Sequence, residues 1–511
     1  MFLGVYRTAA PQNLPWQSTD RFSAPPTRLT DDMLSALIKI FGLLLVAFGL
    51  ALLPPAAVAW IYADVDPLVY IGLAAVALLL GAAGMFLGPS AKRALRTRDG
   101  FLVVTLAWVS MSVLGAVPFL LIGKLDPAAA FFESASGFTT TGSTAIVGLE
   151  RLPLSLLFFR QEIQWLGGIG LVVAAIALLP LLGMGGMQLM KAETTGPAKS
   201  DKLRPRIKHT AQALWRLYLF LTLACALAYW FAGMPAFDAV ANSFSTVSTG
   251  GYTLYDASFA HYNNAAIEIV AVIFMMLGAI NFAVHFHAFR EMTVKPYADN
   301  AEVRAFVVIV AALTVLVWLV LWITGDKAPL LALRLALFQV VSVITSTGYV
   351  TDDFSIWPSL LPVLLIFIFF VGGCAGSTAG GMKVIRILIM SRQALIEVSR
   401  LIHPRLERPL KIGGSVVDDN VVRAVWAFFT VYIFVFVVLM LAVMWLGLDQ
   451  ITAFSAIATC INNVGPGLGE VTMNFASVSG PVKTVCAFAC ILGRLEVLTI
   501  FVLFTPGYWR A

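Results

Sequence analysis

Four short segments of the chain carry hydroxyl or amide side chains and end on a glycine. They are Thr139-Thr140-Thr141-Gly142, Thr246-Val247-Ser248-Thr249-Gly250, Thr345-Ser346-Thr347-Gly348 and Asn462-Asn463-Val464-Gly465. The four glycines lie 108, 98 and 117 residues apart (250 − 142, 348 − 250 and 465 − 348). A unit that recurs at so regular a spacing indicates pseudo-symmetry around one axis. Four polar, glycine-containing strands around an axis are how a cation filter is built, because backbone carbonyls replace the water shell of the ion.

One such segment alone would be typical of an ordinary turn between helices. Here all four lie at matching positions, each after a short apolar segment and before a long one. The repetition therefore predicts a potassium-type pore that is folded from a single chain.

The composition excludes a soluble protein. Of 511 residues, 59% are hydrophobic and 12% are charged, whereas soluble domains have about 25% charged residues. The chain is therefore predicted to be a polytopic membrane protein without a separate soluble catalytic domain. The net charge of +6 comes from basic residues in particular loops, so it does not indicate nucleic-acid binding. The five cysteines form no CxxC pair, and they are predicted to be buried free thiols.

Ten apolar segments are long enough to cross a bilayer, and four shorter ones are not. The long segments are 34–62, 67–88, 101–122, 155–183, 210–232, 265–289, 304–324, 358–396, 421–447 and 482–504. The short segments are 127–138, 235–247, 329–344 and 450–461. We predict that each short segment is a re-entrant helix followed by an extended strand that lines water.

These segments predict an all-α polytopic membrane fold with ten transmembrane helices. Four pseudo-symmetric helix–pore-loop–helix repeats surround one pore, and two extra helices precede them. The predicted domains are a cytosolic tail (1–33), the two extra helices (34–90), repeat 1 (100–190), repeat 2 (207–290), repeat 3 with a loop inside the membrane (301–396) and repeat 4 (420–511). Each repeat crosses twice, so all four have the same orientation, unlike the inverted repeats of many secondary transporters.

The distribution of Lys and Arg predicts the orientation of the spans. Basic residues cluster in the loops after spans two, four and eight, at 92–98, 191–208 and 386–411. The opposite loops carry mainly aspartates. The basic loops and both termini are therefore predicted to be cytoplasmic, and the re-entrant helices enter from outside. The negative ends of their dipoles then point at the pore and favour a cation.

The apolar segment 358–396 is too long for one straight span. As a helix it would measure about 58 Å, nearly twice the hydrocarbon core. Its middle contains five glycines around one serine, namely Gly372, Gly373, Gly376, Ser377, Gly380 and Gly381. Glycines at this density break a helix, and a break inside the membrane must line a cavity or be covered by protein. We predict a flexible loop below the third strand; close helix packing through small residues is the alternative.

Arg494 lies near the middle of the last predicted span. A charge there costs about 2.5–3.5 kcal/mol on insertion scales, so the side chain is predicted to face the pore or a partner. Carbonyl groups within 372–380 are the expected partners, and the hypothesis is that Arg494 and the loop form the gate. The alternative is a structural ion pair with Glu268 or Glu162.

Other ionisable residues give weaker signals. Arg160, Glu162 and Gln164 open span four and are predicted to lie at the outer membrane interface. Glu133 lies in a re-entrant helix, where it adds negative potential or anchors the helix. His285 and His287 are predicted to be interfacial rather than metal ligands.

The motifs together resemble the TrkH-type potassium-uptake subunits of the Trk/Ktr/HKT superfamily. The stretches that carry the likeness are Ser136–Gly142, Gln164–Gly170, Gly185–Leu189 with Ala192–Thr194, Ser245–Tyr252, Thr345–Tyr349 and Asn462–Gly469. The likeness covers all ten predicted spans. The two extra N-terminal helices are typical of the TrkH branch.

The resemblance implies which residues form a potassium filter. One glycine in each repeat would line it, and these glycines are Gly142, Gly250, Gly348 and Gly465. The residues just before them would offer carbonyl groups to the ion; these are Thr140, Thr141, Ser248, Thr249, Ser346, Thr347, Asn463 and Val464. The resemblance also implies an intramembrane gating loop in the third repeat. Each strand is shorter than that of a tetrameric potassium channel, which predicts looser discrimination among potassium, rubidium and sodium.

The resemblance further implies a setting and partners. The chain would work as a homodimer in the lipid bilayer of the bacterial inner membrane, with potassium as the transported ion and no cofactor of its own. Uptake would be either passive or coupled to a second ion by symport. A cytosolic TrkA-type ring that binds NAD(H) or ATP/ADP would control the gate, and the basic loops at 191–208 and 386–411 are the predicted docking surface.

Two other functions are compatible with parts of the sequence. The first is a sodium-coupled or sodium-conducting transporter of the Ktr/HKT type. A serine in place of the first filter glycine tends to mark sodium conduction in that superfamily, and this chain has Gly142. The second is an intramembrane serine protease with Ser377 as its nucleophile, which needs a histidine at the same depth. An ATP-driven pump is excluded, because the chain has neither a Walker motif nor a DKTG motif.

Overall fold

The computed structural model describes residues 31–87, 97–170, 207–324, 327–358 and 360–510. Several predicted segments lie wholly or partly outside these residues. They are the tail at 1–33, the basic loop at 92–98, the second half of span four at 171–183, the motif at 185–194 and the basic loop at 191–208.

The two extra N-terminal helices form a closely packed pair. The first consists of Asp31–Ala51 and Leu53–Tyr62, and the second is Pro67–Leu87. Their backbones touch at two glycines, because a Cβ atom added to Gly42 would lie 2.8 Å from the carbonyl oxygen of Gly81. Small residues at such a crossing let helices in a membrane approach closely.

Four units follow, and each contains a leading helix, a short re-entrant helix, a polar strand and a trailing helix. The leading helices are Thr97–Leu121, Ile207–Phe231, Ala301–Ile323 and Asp419–Trp445. The re-entrant helices 1 to 4 are Pro127–Phe138, Ala236–Val247, Pro329–Ile344 and Gln450–Asn462. The trailing helices are Leu154–Trp165, Ala265–Ala279 with Phe282–Glu291, Leu360–Phe369 with Val384–Ile402, and Gly480–Arg494 with Leu498–Phe501.

Smaller elements connect these helices. Lys295–Asp299 leads into the third unit, and a two-stranded antiparallel hairpin of Lys411–Ile412 and Ser415–Val416 links the third unit to the fourth. Short 3₁₀ turns lie at Leu149–Arg151, Ser258–His261, Phe354–Ile356, Gly469–Val471 and Val502–Phe504, and Pro506–Arg510 closes the described chain.

The predicted all-α polytopic fold is confirmed. Among the described residues, six helices are long and apolar enough to cross a membrane, and two bent helix pairs raise the number to eight. The trailing helices of repeats 1 and 3 correspond to the other two predicted spans. The first of these reaches the undescribed residues after Gly170, and the second is interrupted between Phe369 and Val384.

The re-entrant helices are too short to cross. They contain 12, 12, 16 and 13 residues, which is about 18–24 Å of helix against a hydrocarbon core of about 30 Å. Asp126 and Asp449 cap the first and fourth by accepting hydrogen bonds from backbone N–H groups of the first turn. Pro127 and Pro329 occupy first-turn positions, where a missing N–H group costs nothing.

Three trailing helices are interrupted at a corresponding point, and the described part of the first closes with a π-helical turn at Leu166–Gly170. The second bends by 101° between Ala279 and Phe282, and the fourth bends by 101° between Arg494 and Leu498. The third contains the predicted glycine-rich break. The predicted spans 265–289 and 482–504 are therefore bent helix pairs, and the bends were not predicted from the sequence.

Close contact with the re-entrant helices coincides with the two bends and with the π-helical turn. Gly167, Gly278 and Gly493 face the last carbonyl groups of re-entrant helices 1, 2 and 4. A Cβ atom on Gly278 would lie 2.9 Å from the carbonyl oxygen of Val247, and one on Gly167 or Gly493 would overlap the corresponding oxygen. Each bend begins within two residues of such a glycine, and Gly167 lies in the π-helical turn, so a glycine without side-chain packing marks all three places.

The cap of re-entrant helix 4 makes stability depend on pH. Hydrogen bonds from Thr452 lower the pKa of Asp449, which lies outside the membrane-spanning segments. A lowered pKa stabilises the folded state above the value of an unfolded aspartate, near 3.8, and that contribution disappears as the pH falls through the folded pKa. We expect the unfolding temperature of the wild type to fall more than that of Asp449→Asn between about pH 6 and about pH 2.5. An equal fall in both proteins would contradict this role.

Candidate functional site

The four re-entrant helices end in the same backbone motif. One residue at each end has a left-handed conformation, namely Thr140 (φ 56°), Thr249 (φ 52°), Ser346 (φ 55°) and Asn463 (φ 54°). The N–H group of the following residue donates to the carbonyl group five residues earlier: Thr141 to Ser136, Gly250 to Ser245, Thr347 to Ser342 and Val464 to Thr459. This is the Schellman arrangement, in which glycine is the usual left-handed residue. Non-glycine residues with hydroxyl or amide side chains take that position in all four repeats.

The shared motif aligns the four segments residue by residue. We call 139–142, 248–251, 345–348 and 462–465 polar strands 1 to 4. The glycine two residues after the left-handed residue also has a positive φ, with values of 81° at Gly142, 83° at Gly251, 81° at Gly348 and 113° at Gly465. The prediction that Gly250 is the counterpart of the other three glycines was therefore wrong. Gly250 corresponds to Thr141, Thr347 and Val464, because two glycines in succession hid the register.

The four polar strands touch in cyclic order. A Cβ atom on Gly142 would overlap the carbonyl oxygen of Gly250 in strand 2, one on Gly251 that of Thr347 in strand 3, and one on Gly348 that of Val464 in strand 4. A Cβ atom on Gly465 would lie 3.1 Å from the carbonyl oxygen of Thr141, which returns the contact to strand 1. The four strands therefore form a closed ring, in which glycine is required at the point where each backbone meets the next carbonyl.

Hydrogen bonds from side chains hold this ring in place. Thr139 and Thr141 share a hydrogen bond of 2.7 Å, and Thr345 and Thr347 share one of 2.8 Å. Asn463 donates from Nδ2 to Oγ1 of Thr141 at 2.8 Å, which ties strand 4 to strand 1. The strands themselves contain no charged side chain, so the ring consists of backbone carbonyl groups. Such a ring suits a cation that has lost its water.

Strand 2 depends on a buried amide from the first repeat. Gln164 donates from Nε2 to the carbonyl oxygen of Gly250 at 2.5 Å, and its Oε1 accepts from the N–H group of Tyr252 at 3.0 Å. One side chain thus pairs with the strand as a neighbouring strand would. Arg160, Glu162 and Gln164 were predicted to lie at the outer interface, but all three are buried, with exposed fractions of 1%, 6% and 0%.

The loop between Phe369 and Val384 is attached to the second and fourth repeats. Gly372, Gly376 and Gly381 have positive φ angles, as expected for a chain that reverses direction repeatedly. The N–H group of Cys374 donates to the carbonyl oxygen of Ala279 at 2.9 Å, directly at the bend of the second trailing helix. The N–H group of Gly381 donates to Asn462 at 3.1 Å.

Two residues of the same loop bind directly to the left-handed residues of the polar strands. Oγ1 of Thr249 donates to Oγ1 of Thr378 at 3.1 Å, and the N–H group of Gly380 donates to Oγ of Ser346 at 2.5 Å. The loop therefore covers the end of the ring at which the re-entrant helices terminate. Thr378 was not among the predicted site residues.

Arg494 joins this loop to the first repeat. Its Nη1 donates to the carbonyl oxygen of Thr378 at 2.8 Å, and its Nη2 donates to those of Gly167 and Gly168 at 2.9 and 2.7 Å. The guanidinium also lies 5.8 Å from the ring centre of Trp108. Of the alternative partners, Glu268 is bound by Arg334 at 2.6 Å. Arg494 lies at the end of a helix before a 101° bend, not in the middle of a straight span.

Glu302 and Glu496 hold the start of the helix Val384–Ile402, which follows the loop. Oε1 of Glu302 accepts from the N–H groups of Ala375 and Ile385 at 2.8 and 3.2 Å. Arg386 forms an ion pair with Glu496 in the bend of the fourth trailing helix. Arg386 was predicted to be part of the docking surface, but its side chain is only 3% exposed.

The geometry gives little support to the alternative of a serine protease with Ser377 as its nucleophile. The hydroxyl group of Ser377 donates to the carbonyl oxygen of Cys374 at 2.6 Å, whereas His285 contacts Tyr297 and Leu277. In the part of the chain that the structure describes, no cluster of three or more His, Cys, Asp or Glu residues is placed to hold a metal ion. The predicted burial of all five cysteines as free thiols is confirmed.

The carbonyl partners of Arg494 in the first repeat were missed by sequence reasoning. Gly167 and Gly168 were part of a motif, but their role was not recognised. The available signal was a pair of adjacent glycines in an apolar helix, which exposes backbone carbonyls and permits close contact.

Comparison with known proteins gives a consistent result. The model of a family described as TrkH, cation transport protein, matches residues 71–510. The Trk system potassium uptake protein TrkH of Vibrio parahaemolyticus is 46% identical over 481 residues, which cover 93% of this chain and 99% of that protein. The TrkH protein of Escherichia coli is 43% identical over 478 residues, with the same coverage.

A solved structure agrees with the fold. The crystal structure of the potassium transporter TrkH from Vibrio parahaemolyticus matches with a TM-score of 0.84 at 44% sequence identity. The match covers 93% of this chain and 99% of that one.

The role of Gln164 gives a testable prediction about stability. Gln164→Leu leaves two buried backbone groups without a partner, and each such loss costs about 1–3 kcal/mol. We therefore expect a clear fall in the unfolding temperature of the purified protein. Gln161 is the matched control, since it is buried one turn earlier and its amide has no hydrogen-bond partner among the described residues. Gln161→Leu is expected to leave stability unchanged or raised, and equal destabilisation by both changes would refute the assignment.

Proposed function

The chain belongs to the TrkH family of cation transport proteins, and we propose that it carries potassium ions across the bacterial inner membrane through the ring of polar strands. The family assignment agrees with the resemblance predicted from the sequence. The chain is a transporter and not an enzyme, as its relatives are named as potassium uptake proteins and a potassium transporter. The observation that carries the proposal is the closed ring of four glycine–carbonyl contacts.

In this proposal, the filter consists of the strand residues together with their glycines. They are Thr140, Thr141, Gly142, Ser248, Thr249, Gly250, Gly251, Ser346, Thr347, Gly348, Asn463, Val464 and Gly465. Backbone carbonyls replace the water shell of potassium, and the negative ends of the four re-entrant helices add a favourable potential. The strands are short, so discrimination against sodium depends on how firmly the carbonyls are held apart.

The same contacts support the proposal of potassium rather than the sodium alternative. A side chain at Gly142 would overlap the carbonyl oxygen of Gly250 and displace it from the ring. With a glycine at this point in every strand, the four carbonyl groups can keep a similar distance from the pore axis. The sequence therefore supports potassium as the principal ion.

We propose that the loop at 370–383 and Arg494 form the gate. The loop lies across the end of the ring, and its residues Thr378 and Gly380 bind two left-handed strand residues. Arg494 adds a positive charge at the same level and bonds the loop to Gly167 and Gly168. Opening requires these hydrogen bonds to break, and the charge repels potassium until the loop moves.

A cytosolic partner is the natural source of that movement. We propose a nucleotide-binding TrkA-type ring that docks on the basic, cytoplasmic side of a homodimer. The helix Val384–Ile402 runs from the loop towards exposed Arg392 and Arg400, so a force applied there reaches the loop directly. Arg386 connects the same helix to the bend beside Arg494 through Glu496.

The ring contacts are tested by a substitution at the third glycine. In Gly348→Ser the added Cβ atom must displace the carbonyl group of Val464, so we expect rubidium uptake into proteoliposomes to fall by more than about tenfold. Gly447→Ser is the control, because Gly447 also has a positive φ, of 109°, but no atom within 4 Å of an added Cβ. Uptake by that variant should stay near the wild-type rate. Unchanged uptake by Gly348→Ser would refute the filter.

The gate is tested by removing the charge of Arg494. We expect Arg494→Ala to raise rubidium uptake by the chain alone by about tenfold, which corresponds to a barrier lower by about 1.4 kcal/mol. Arg423→Ala removes an exposed charge from the fourth leading helix and should have no effect. If Arg494→Ala transports at the wild-type rate at both low and high potassium, the gate hypothesis fails.

A further inference from the structure

A fully buried ion pair lies behind the first two polar strands. Glu133 of re-entrant helix 1 and Arg160 of the first trailing helix have side-chain exposures of 0% and 1%. Nη2 of Arg160 lies 2.7 Å from Oε1 of Glu133, and Nε donates to the same oxygen at 2.8 Å. Removing two charges from water at this depth is costly unless further hydrogen bonds satisfy them.

The carboxylate of Glu133 also accepts hydrogen bonds from the residues that follow polar strand 1. Oγ1 of Thr144 donates to both carboxylate oxygens, at 3.0 and 3.1 Å. The N–H group of Ala145 donates to Oε2 at 2.9 Å. The carboxylate thereby fixes the chain two and three residues beyond Gly142.

Arg160 extends the same network to polar strand 2. Its Nη1 donates to the carbonyl oxygen of Thr253 at 3.0 Å, two residues beyond Gly251. Its guanidinium lies 4.1 Å from the ring centre of Tyr252, and the hydroxyl group of Tyr252 donates to the carbonyl oxygen of Glu133 at 2.6 Å. Strands 1 and 2 are thus attached to one pair of opposite charges.

Only the first repeat has a charge at this position. Glu133 lies seven residues before the left-handed Thr140, and the residues seven positions before the other left-handed residues are Asn242, Gln339 and Ala456. The ion pair is therefore specific to the first repeat, and it lies behind the point where Gly142 contacts the carbonyl group of Gly250.

We propose that Glu133 and Arg160 are positioning residues that fix the spacing of polar strands 1 and 2 and thereby set the preference for potassium over sodium. The inference rests on the filter proposed above. Two strands that lose this support can move closer together, and their carbonyls can then surround the smaller sodium ion more favourably. Neither side chain needs to touch the ion.

Three variants separate positioning from folding. Arg160→Lys keeps the charge but cannot reach Glu133, Thr144 and Thr253 at once, because an ammonium group lacks the planar fork of a guanidinium. Glu133→Gln leaves Arg160 without its counter-charge. The double variant Glu133→Gln/Arg160→Gln removes both charges, and it is expected to recover stability that the single changes lose.

The chain provides a matched control in Glu268→Gln/Arg334→Gln. That pair is also a glutamate–arginine ion pair with two hydrogen bonds, both of 2.6 Å, and it joins the second trailing helix to re-entrant helix 3. It is partly exposed and, among the described residues, makes no hydrogen bond to a polar strand.

The measurement is the protection of the purified full-length protein against heating by KCl and by NaCl, with choline chloride to correct for ionic strength. The ratio of the two concentrations that give half-maximal protection depends neither on an open gate nor on the fraction of folded protein. We expect the ratio to shift towards sodium by about tenfold in Arg160→Lys and in the double variant. A shift of that size corresponds to the loss of one hydrogen bond to a charged group. The control should keep the wild-type ratio.

Three results would overturn the inference. If the double variant keeps the wild-type ratio, the pair is only structural. If the control shifts as much as the double variant, the effect is not specific to strands 1 and 2. If neither salt protects the wild type beyond choline, the filter itself is refuted, which separates failure of the proposed function from failure of this inference.

Discussion

The structure depends on one close contact that is repeated four times: the backbone of a glycine in each polar strand meets a carbonyl group of the next strand. Each contact leaves no room for a Cβ atom, except at Gly465, where the gap of 3.1 Å is still tight. Because each strand contacts the next one around the ring, a shift in one carbonyl group displaces the neighbouring strand in turn. The four repeats must therefore reach the axis at the same depth and in the same register.

That requirement explains the shape of the trailing helices. Re-entrant helices that end inside a membrane leave carbonyl groups without donors, and a bilayer supplies none. The Schellman bonds satisfy some of them. The approach of Gly167, Gly278 and Gly493 places a second backbone against the same ends, and the second and fourth trailing helices bend there. Arg494 and the loop at 370–383 occupy the space that these interruptions open, so the gate proposed here is a product of the filter's own geometry.

The sequence predicted the architecture well, because its signals are long and repeated. Span length, the four glycine-ending segments and the glycine-rich break each follow from the constraints of a bilayer on hydrogen bonds. It predicted the side-chain environment poorly. Arg160, Glu162 and Gln164 look like interfacial residues when only their polarity is considered, yet all three are buried, and Arg160 and Gln164 bond to Thr253 and Gly250. Gly250 and Gly251 cannot be told apart without the φ angles. The bends at 280–281 and 495–497 contain neither proline nor glycine, and Gly278 and Gly493 lie two residues before them.

The backbone of the ring is nearly four-fold, and strands 1 and 3 share the same Thr–Thr hydrogen bond, but the further supports differ between repeats. Strand 1 is held by Glu133 and Arg160, strand 2 by Gln164, strand 3 by the bond of 2.7 Å from Ser342 to the carbonyl oxygen of Tyr349, and strand 4 by the bond of 2.8 Å from the N–H group of Gly465 to Thr459. A filter made of four identical chains has to support every strand in the same way. In a single chain each strand can have its own support, so the stiffness of each strand can be set separately. The charged pair in the first repeat is the strongest of these supports, because its hydrogen bonds involve full charges in a medium of low dielectric constant.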